Sequence, residues 1–408
     1  MRTGALARSA LGARKKPCTP YNNSMQMHEI SIIGAGPVGA LAALALHAKQ
    51  SPHTVTLLDA AAPNAVAYER TLALSYGSRL LLERVGVWQA ISPAPQPIET
   101  IEVTQRSGTG HALIRAFECG VPALGYTLTY ASLKAAMDAA LDRSGIHVRF
   151  NTKVERISVD PTCATLHLAD SEKLNCALAV MADGGSIALP GMKTFTRDHG
   201  QSAVVAQVKA SAPQPTTAYE RFTTQGPIAL LPLDAHGTYG LVWTHPRDAA
   251  PLVCAWPAEK FIAEAQAAFG NDVGTLTLLN APRHYPLGLK YTEPRARPRL
   301  VAIGNAAQAM HPIAGQGLNL GLRDALAFAE QFQAIPAAQF GTLLPFISYG
   351  LKRAPDRVGG VLMTESLVSV FGLDFGLANA ARGAGIGALD ILAPVKRALA
   401  RRMMFGSM

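Results

Sequence analysis

His28-Glu29-Ile30-Ser31-Ile32-Ile33-Gly34-Ala35-Gly36-Pro37-Val38-Gly39 is the stretch that decides the fold of this chain. Residues 28–33 form a short, mostly apolar run suited to a buried strand, and the alanine-rich run from Ala40 to Lys49 reads as a helix. Strand, tight turn and helix succeed one another without a gap. Gly34 permits the turn, Gly36 lets a pyrophosphate approach the backbone, and Gly39 lets the helix pack closely on the strand, while free N–H groups at the helix start attract phosphate. A second strand, Thr54 to Leu58, ends in Asp59, twenty residues beyond Gly39. An acid at that distance bonds a ribose hydroxyl. The spacing therefore predicts a dinucleotide-binding α/β unit whose contacts are Gly34, Gly36, Gly39 and Asp59.

A second glycine-rich segment lies far downstream. Arg299 to Ile303 reads as another buried strand, and it runs into Gly304-Asn305-Ala306-Ala307-Gln308-Ala309-Met310-His311-Pro312-Ile313-Ala314-Gly315-Gln316-Gly317-Leu318-Asn319-Leu320-Gly321 before a helix from about Leu318 to Phe332. The small residues Gly304, Ala306 and Ala307 let a ligand lie against the backbone, and Gly315 and Gly317 open the next helix N-terminus toward it. Such an N-terminus suits negative charge.

This segment resembles the second FAD motif of the class A flavoprotein monooxygenases. Two further stretches fit the same family in the same order. Arg70-Thr71-Leu72-Ala73-Leu74 resembles its flavin-contacting arginine segment, and Ala182-Asp183-Gly184-Gly185-Ser186 resembles its Asp-Gly motif for FAD and NAD(P)H use. Within that group the chain is similar to the ubiquinone-biosynthesis hydroxylases over nearly all of its length after residue 27. Gly125-Tyr126, Glu220-Arg221-Phe222-Thr223, Gly226 to Leu233 and Leu241-Val242-Trp243 carry this likeness. Gly304-Asn305-Ala306-Ala307-Gln308 departs from the commoner Gly-Asp-Ala-Ala-His and resembles the branch that hydroxylates 2-polyprenyl-6-methoxyphenol. Asn305 keeps a carbonyl oxygen that can accept from a ribityl hydroxyl. Ile187-Ala188-Leu189 stands where the family often has an arginine after Asp-Gly.

The resemblance implies an α/β fold: a discontinuous, Rossmann-like FAD-binding domain with an inserted antiparallel β-sheet substrate domain and C-terminal helices. It implies FAD as bound cofactor, NAD(P)H as transient reductant and dioxygen as co-substrate. The family cycle passes through a C4a-hydroperoxyflavin that transfers oxygen to a phenol ring. Cofactor contacts are then expected from Gly34, Gly36, Gly39, Asp59, Arg70, Asp183, Gly184, Gly304, Asn305, Gly315, Gly317, Leu318 and Asn319, with His311 and Pro312 as a wall on the flavin side. The implied partners are a polyprenylated phenol, the membrane that holds it, and other proteins of ubiquinone biosynthesis. Other readings are hydroxylation at another ring carbon, a noncatalytic flavoprotein in a quinone-biosynthesis assembly, and a reductase of prenyl chains. No catalytic Ser-His-Asp, metal-ligand or paired-carboxylate pattern stands out, and no phenol-activating base can be named from the sequence.

The alternation of strands and helices places the cofactor domain at 27–90, 128–190 and 285–340, with the substrate domain at 91–127 and 191–284 and a helical region at 341–408. With 408 residues, 49% of them hydrophobic, the chain can bury a large core. The formal charge is +9, but Arg2, Arg8, Arg14, Lys15 and Lys16 lie in an acid-free leader and Lys396, Arg397, Arg401 and Arg402 lie near the C-terminus. The body is near neutral, which argues against a nucleic-acid partner. Residues 1–26 read as a leader outside the fold, either upstream of a start at Met25 or Met27 or a transit-like peptide. The five dispersed cysteines suggest reduced thiols, and the location expected is cytoplasmic and peripheral to the inner membrane, or organellar if residues 1–24 are a transit peptide. In the closing stretch from Asp390 to Met404, Leu392, Val395, Leu399 and Met403 recur at helical spacing. They read as one face of a docked helix or of a basic amphipathic helix on anionic lipid.

Overall fold

The computed structural model describes residues 28–63, 65, 70–105, 110–223, 226–310, 316–371, 387 and 392–407. The leader, His311, Pro312 and Gly315 lie outside the described residues. One sheet is parallel at its centre. The strand His28–Ile33 pairs in parallel with Val55–Leu58 on one side and Lys173–Met181 on the other, and Leu300–Ala302 and His147–Arg149 extend the two flanks. Strands so covered on both faces are apolar along their length, and Ile30, Ile32, Leu178 and Val180 have no exposed surface. The helices Pro37–Ala48, Tyr130–Ser144 and Gln316–Phe332 pack on one face in the largest core cluster. The hairpin Val154–Val159 and Ala164–Leu168 helps to cover the other.

A second, mostly antiparallel sheet is built around the long strand Lys193–Ala210, which pairs with Thr238–Pro246 and with Arg283–Glu293, while Thr217–Thr223 runs parallel to Thr100–Gln105. Gly226–Pro232, Thr217–Thr223, Thr100–Gln105 and His111–Arg115 follow in order from Thr238–Pro246. This sheet runs on past residue 284, the boundary read from the sequence, because Arg283–Glu293 pairs with residues 193–205 across a register shift between Asp198 and Gln201. Its far face is buried against the helices Ala250–Cys254 and Ala258–Phe269, with Val204, Val208, Leu230 and Leu241 in that core. A small third sheet, Thr71–Ser75, Gly125–Thr129 and Gln96–Ile98, lies in the expected substrate region only in part.

The C-terminal region is helical over Leu344–Phe371 and Ala393–Phe405. The closing helix does not dock by the stripe read from its sequence. Ala400 and Met404 are the apolar residues it buries, beside Ile114, Cys119 and Leu124. Lys396, outside the apolar stripe read from the sequence, turns inward, where its Nζ donates to the Leu113 carbonyl at 2.9 Å and pairs with Glu118 at 3.0 Å. A lysine with two oxygen partners is satisfied when buried, so a charged side chain occupies the docking face. Leu392 and Val395 remain about half exposed.

Candidate active site

The first glycine turn has the geometry its spacing predicts. Gly34 sits at φ +104°, and a Cβ there would lie 2.6 Å from the Ala182 carbonyl oxygen. A Cβ on Gly39 would stand 1.9 Å from the Gly34 carbonyl oxygen, so only glycine lets helix and turn close together. Gly36 differs from both. Its Cβ would meet only the Tyr130 hydroxyl, at 3.8 Å, and the residue lines a large cavity. No side chain caps the N-terminus of the helix Pro37–Ala48, which leaves its backbone donors available. Asp59 also lines the cavity, with Oδ2 accepting from the Ala35 N–H at 2.6 Å and Oδ1 from the Ala61 N–H at 2.7 Å. These bonds fix the carboxylate beside the turn.

The cavity of about 1460 Å³ reaches from this turn to the antiparallel sheet. Arg70, Asp183, Gly184, Asn305, Gly317 and Leu318 also line it, so the structure brings both glycine segments and both intervening motifs to one space. Asp183 accepts from the N–H groups of Gly185 and Ser186, each at 2.9 Å, and so shapes its own turn. Several residues singled out in the sequence lie outside the cavity wall, Gly39, Ala306 and Ala307 among them. Gly304 packs on Val38. Gln308 is buried and accepts from Arg295 at 2.9 Å. Asn319 is also buried, with Oδ1 accepting from the Ser75 N–H and the Ser78 hydroxyl and Nδ2 donating to the Ala73 carbonyl. Its side chain ties the second glycine segment to the arginine segment.

Sequence reasoning missed several contributors. Tyr130 opens the helix that follows Gly125–Thr129, lines the cavity, and lies 4.8 Å beneath the Arg70 guanidinium. Asp324 has no exposed surface and pairs with Arg295 and Arg353, while its Oδ2 faces the Gly304 N–H at 3.4 Å. Leu399 and Met403 of the closing helix form part of the cavity wall. No local pattern marks Tyr130 or Asp324, and the helical spacing of Leu399 and Met403 does not say that they face a cavity, because each acts across a long sequence separation.

The floor of the cavity is one face of the antiparallel sheet. Alternation along Thr217–Thr223 turns Tyr219 into the far core and Ala218, Glu220 and Phe222 toward the cavity. Glu220 lies beside Val103 on one neighbouring strand and Ala229 on the other. Burial alone pushes its carboxyl up to about 7.

Residues 27–338 match the family model described as an FAD binding domain. The chain is 31% identical over 388 residues to ubiquinone hydroxylase UbiL of Rhodospirillum rubrum, a match that spans 92% of this chain and 89% of that protein. It is 29% identical over 315 residues to the 3-demethoxyubiquinol 3-hydroxylase of Escherichia coli, across 75% and 79% of the two chains. The crystal structure of p-nitrophenol 4-monooxygenase PnpA from Pseudomonas putida DLL-E4 superposes with a TM-score of 0.76 at 17% identity, covering 94% of this chain and 99% of that one. At that identity the likeness speaks for the fold alone.

The residues present fit FAD. Gly36 leaves an opening where a side chain would stand, an uncapped helix start lies beside it, and Asp59 is held at the same rim. The cavity exceeds the several hundred Å³ typical of one small-molecule pocket, as a dinucleotide with a second ligand requires.

Proposed function

The chain belongs to the FAD-binding-domain family, among the flavin hydroxylases of ubiquinone biosynthesis, and from that premise we propose that it hydroxylates 2-polyprenyl-6-methoxyphenol para to the phenol oxygen, giving the 1,4-benzoquinol. As a member it is an FAD-dependent monooxygenase that uses NAD(P)H and dioxygen. The observation that carries the proposal is the single cavity joining both glycine segments to an apolar sheet face and then to the closing helix. FAD, once bound and reduced, supplies an electrophilic oxygen from dioxygen.

In this reading the protein's work is binding, orientation and the exclusion of water. The turn at Gly34 to Gly39 takes the pyrophosphate and Asp59 the adenosine ribose, while Asn305, Gly317 and Leu318 border the flavin. Arg70 and Asp183 close the sides. Pro227, Ala229, Leu231 and Val242 present an apolar floor to the aromatic ring. A phenol is activated both ortho and para to its oxygen, so the floor selects the carbon by how it holds the ring. Leu399 and Met403 line the way out for a prenyl tail toward Leu392 and Val395 on the surface.

Those two exposed apolar residues lie on a helix without an acidic side chain, near exposed Arg397 and Arg401. This face fits an anionic lipid leaflet. Among the described residues no helix is long and apolar enough to cross a membrane. Wild-type protein should sediment with phosphatidylglycerol vesicles, and the variant carrying L392S, V395S, R397E and R401E should not. Equal sedimentation would remove the lipid contact from the reading.

Mass spectrometry of the product formed from a 6-prenylated 2-methoxyphenol under labelled dioxygen tests the activity. One labelled oxygen para to the phenol oxygen is expected. A label at another carbon rejects the position, and NAD(P)H oxidation without any labelled product rejects the hydroxylase.

A further inference from the structure

We propose that Glu220 is the base that accepts the phenolic proton of the substrate. The proposal rests on the hydroxylase reading above. Its basis is position: Glu220 is the one carboxylate that the described part of the antiparallel sheet presents to the cavity. The remaining acids of the cavity wall, Asp59, Glu155 and Asp183, belong to the dinucleotide side. Glu220 projects from the middle of the sheet floor, on a strand flanked by Thr100–Gln105 and Gly226–Pro232.

Every described neighbour that faces it from those strands is uncharged. Ile101 and Val103 stand on one side, and Pro227, Ala229 and Leu231 on the other. Beyond them Thr238–Pro246 contributes Val242 and Thr244. Arg221 points the opposite way, to Thr104 and Asp272, and Glu102 pairs with His111. The other titratable groups around this part of the cavity are Tyr219 on the same strand, Arg283 and Tyr285 at the far strand, and Arg70 with Tyr130 across the space. No hydrogen bond or ion pair is made by the Glu220 carboxyl among the described residues. An acid that faces an apolar cavity without a protein partner costs stability, and a ligand that donates a hydrogen bond removes that cost. Its carboxyl, raised by burial to about 7, is also matched to proton transfer near neutrality.

The step balances. The phenol O–H bond breaks, the proton moves to a Glu220 oxygen, and the electron pair left on the phenol oxygen spreads into the ring. The electron-rich ring carbon then forms its bond to the oxygen atom supplied from dioxygen. As the ring recovers aromaticity, that carbon loses its proton to water and Glu220 returns its own to the ring oxygen. NAD(P)H provides the two electrons that send the second atom of dioxygen to water.

The decisive experiment is an equilibrium titration of oxidised holoenzyme, followed by flavin absorbance, between about pH 5.5 and 8.5. The probes are 2-methoxyphenol and 1,2-dimethoxybenzene, the ether that lacks the proton. In wild type the affinity for 2-methoxyphenol should weaken toward about tenfold per pH unit below about 7, because the ionised carboxylate is the acceptor. The ether should show no such trend, and in E220Q the phenol should lose it. In turnover, E220Q should be slower by about 100-fold or more while NAD(P)H still reduces the flavin. A flat wild-type titration, or one kept by E220Q, overturns the proposal. Wild type that shows the linkage but forms no labelled product overturns the hydroxylase reading instead and leaves Glu220 as the phenol's acceptor. The comparison of phenol with ether in wild type needs no variant to fold.

Discussion

Replacing Glu220 with glutamine should stabilise the protein in alkaline solution and do little in mild acid. Burial moves this carboxyl from its ordinary 4.5 to about 7. A carboxyl raised on folding leaves the folded state holding a proton that the unfolded chain has released, so stability declines as pH climbs from 4.5 to about 7 and then levels off. At ~1.4 kcal/mol per pH unit the whole interval corresponds to about 3 kcal/mol, of which about 2 kcal/mol falls between pH 5.5 and 8.5. Water admitted to the cavity screens the charge, which lowers the expected difference to ~1–2 kcal/mol. Glutamine has nearly the same shape and no titration. Urea unfolding of wild type and E220Q, followed by circular dichroism at about pH 5.5 and 8.5, should give a variant whose stability changes less between the two conditions. Identical pH dependence in the two proteins would refute the burial argument, and with it the view that the carboxyl faces an apolar floor.

Gly36→Ala and Gly39→Ala should separate cofactor binding from folding. Both should be purified with little FAD, but only Gly39→Ala, whose Cβ would stand 1.9 Å from the Gly34 oxygen, should lower the melting temperature of the apoprotein. Asn319→Leu removes an acceptor for Ser75 and Ser78 and a donor to Ala73 at a buried site, and a loss of ~2–4 kcal/mol is expected with or without FAD. Asp324→Asn leaves Arg295 without its carboxylate in the core and Arg353 with Asp356 alone, so ~3–5 kcal/mol should be lost in chemical denaturation. Full stability in either variant would contradict the burial and bonding described.

The nucleotide-binding half of this protein is legible in its sequence because its logic is local. A strand, a glycine turn, a helix and an acid at a fixed distance are constrained by backbone geometry within a few dozen residues, and Gly34, Gly36, Gly39 and Asp59 stand in the structure as that spacing requires. The second glycine segment is legible as backbone for the same reason, but its side chains are not. Asn319 reads in sequence as a cofactor contact and Gln308 as a mark of one branch, yet the amide oxygen of each accepts from a partner that only the packed fold brings near.

The substrate half follows a different rule. Period-two alternation groups Ala218, Glu220 and Phe222 on one face of their strand, and nothing local says whether that face meets water, a helix or a cavity. The answer depends on Thr100–Gln105, more than a hundred residues earlier, lying beside Thr217–Thr223, and on the helices that claim the opposite face. The closing helix depends on tertiary structure in the same way, since Lys396 is buried only because Glu118 and the Leu113 carbonyl wait there. Sequence by itself determined the strand, glycine turn and helix of a dinucleotide-binding unit and where the backbone forms them. The tertiary structure alone decided which side chains share the cavity, because burial and pairing are properties of distant segments brought together.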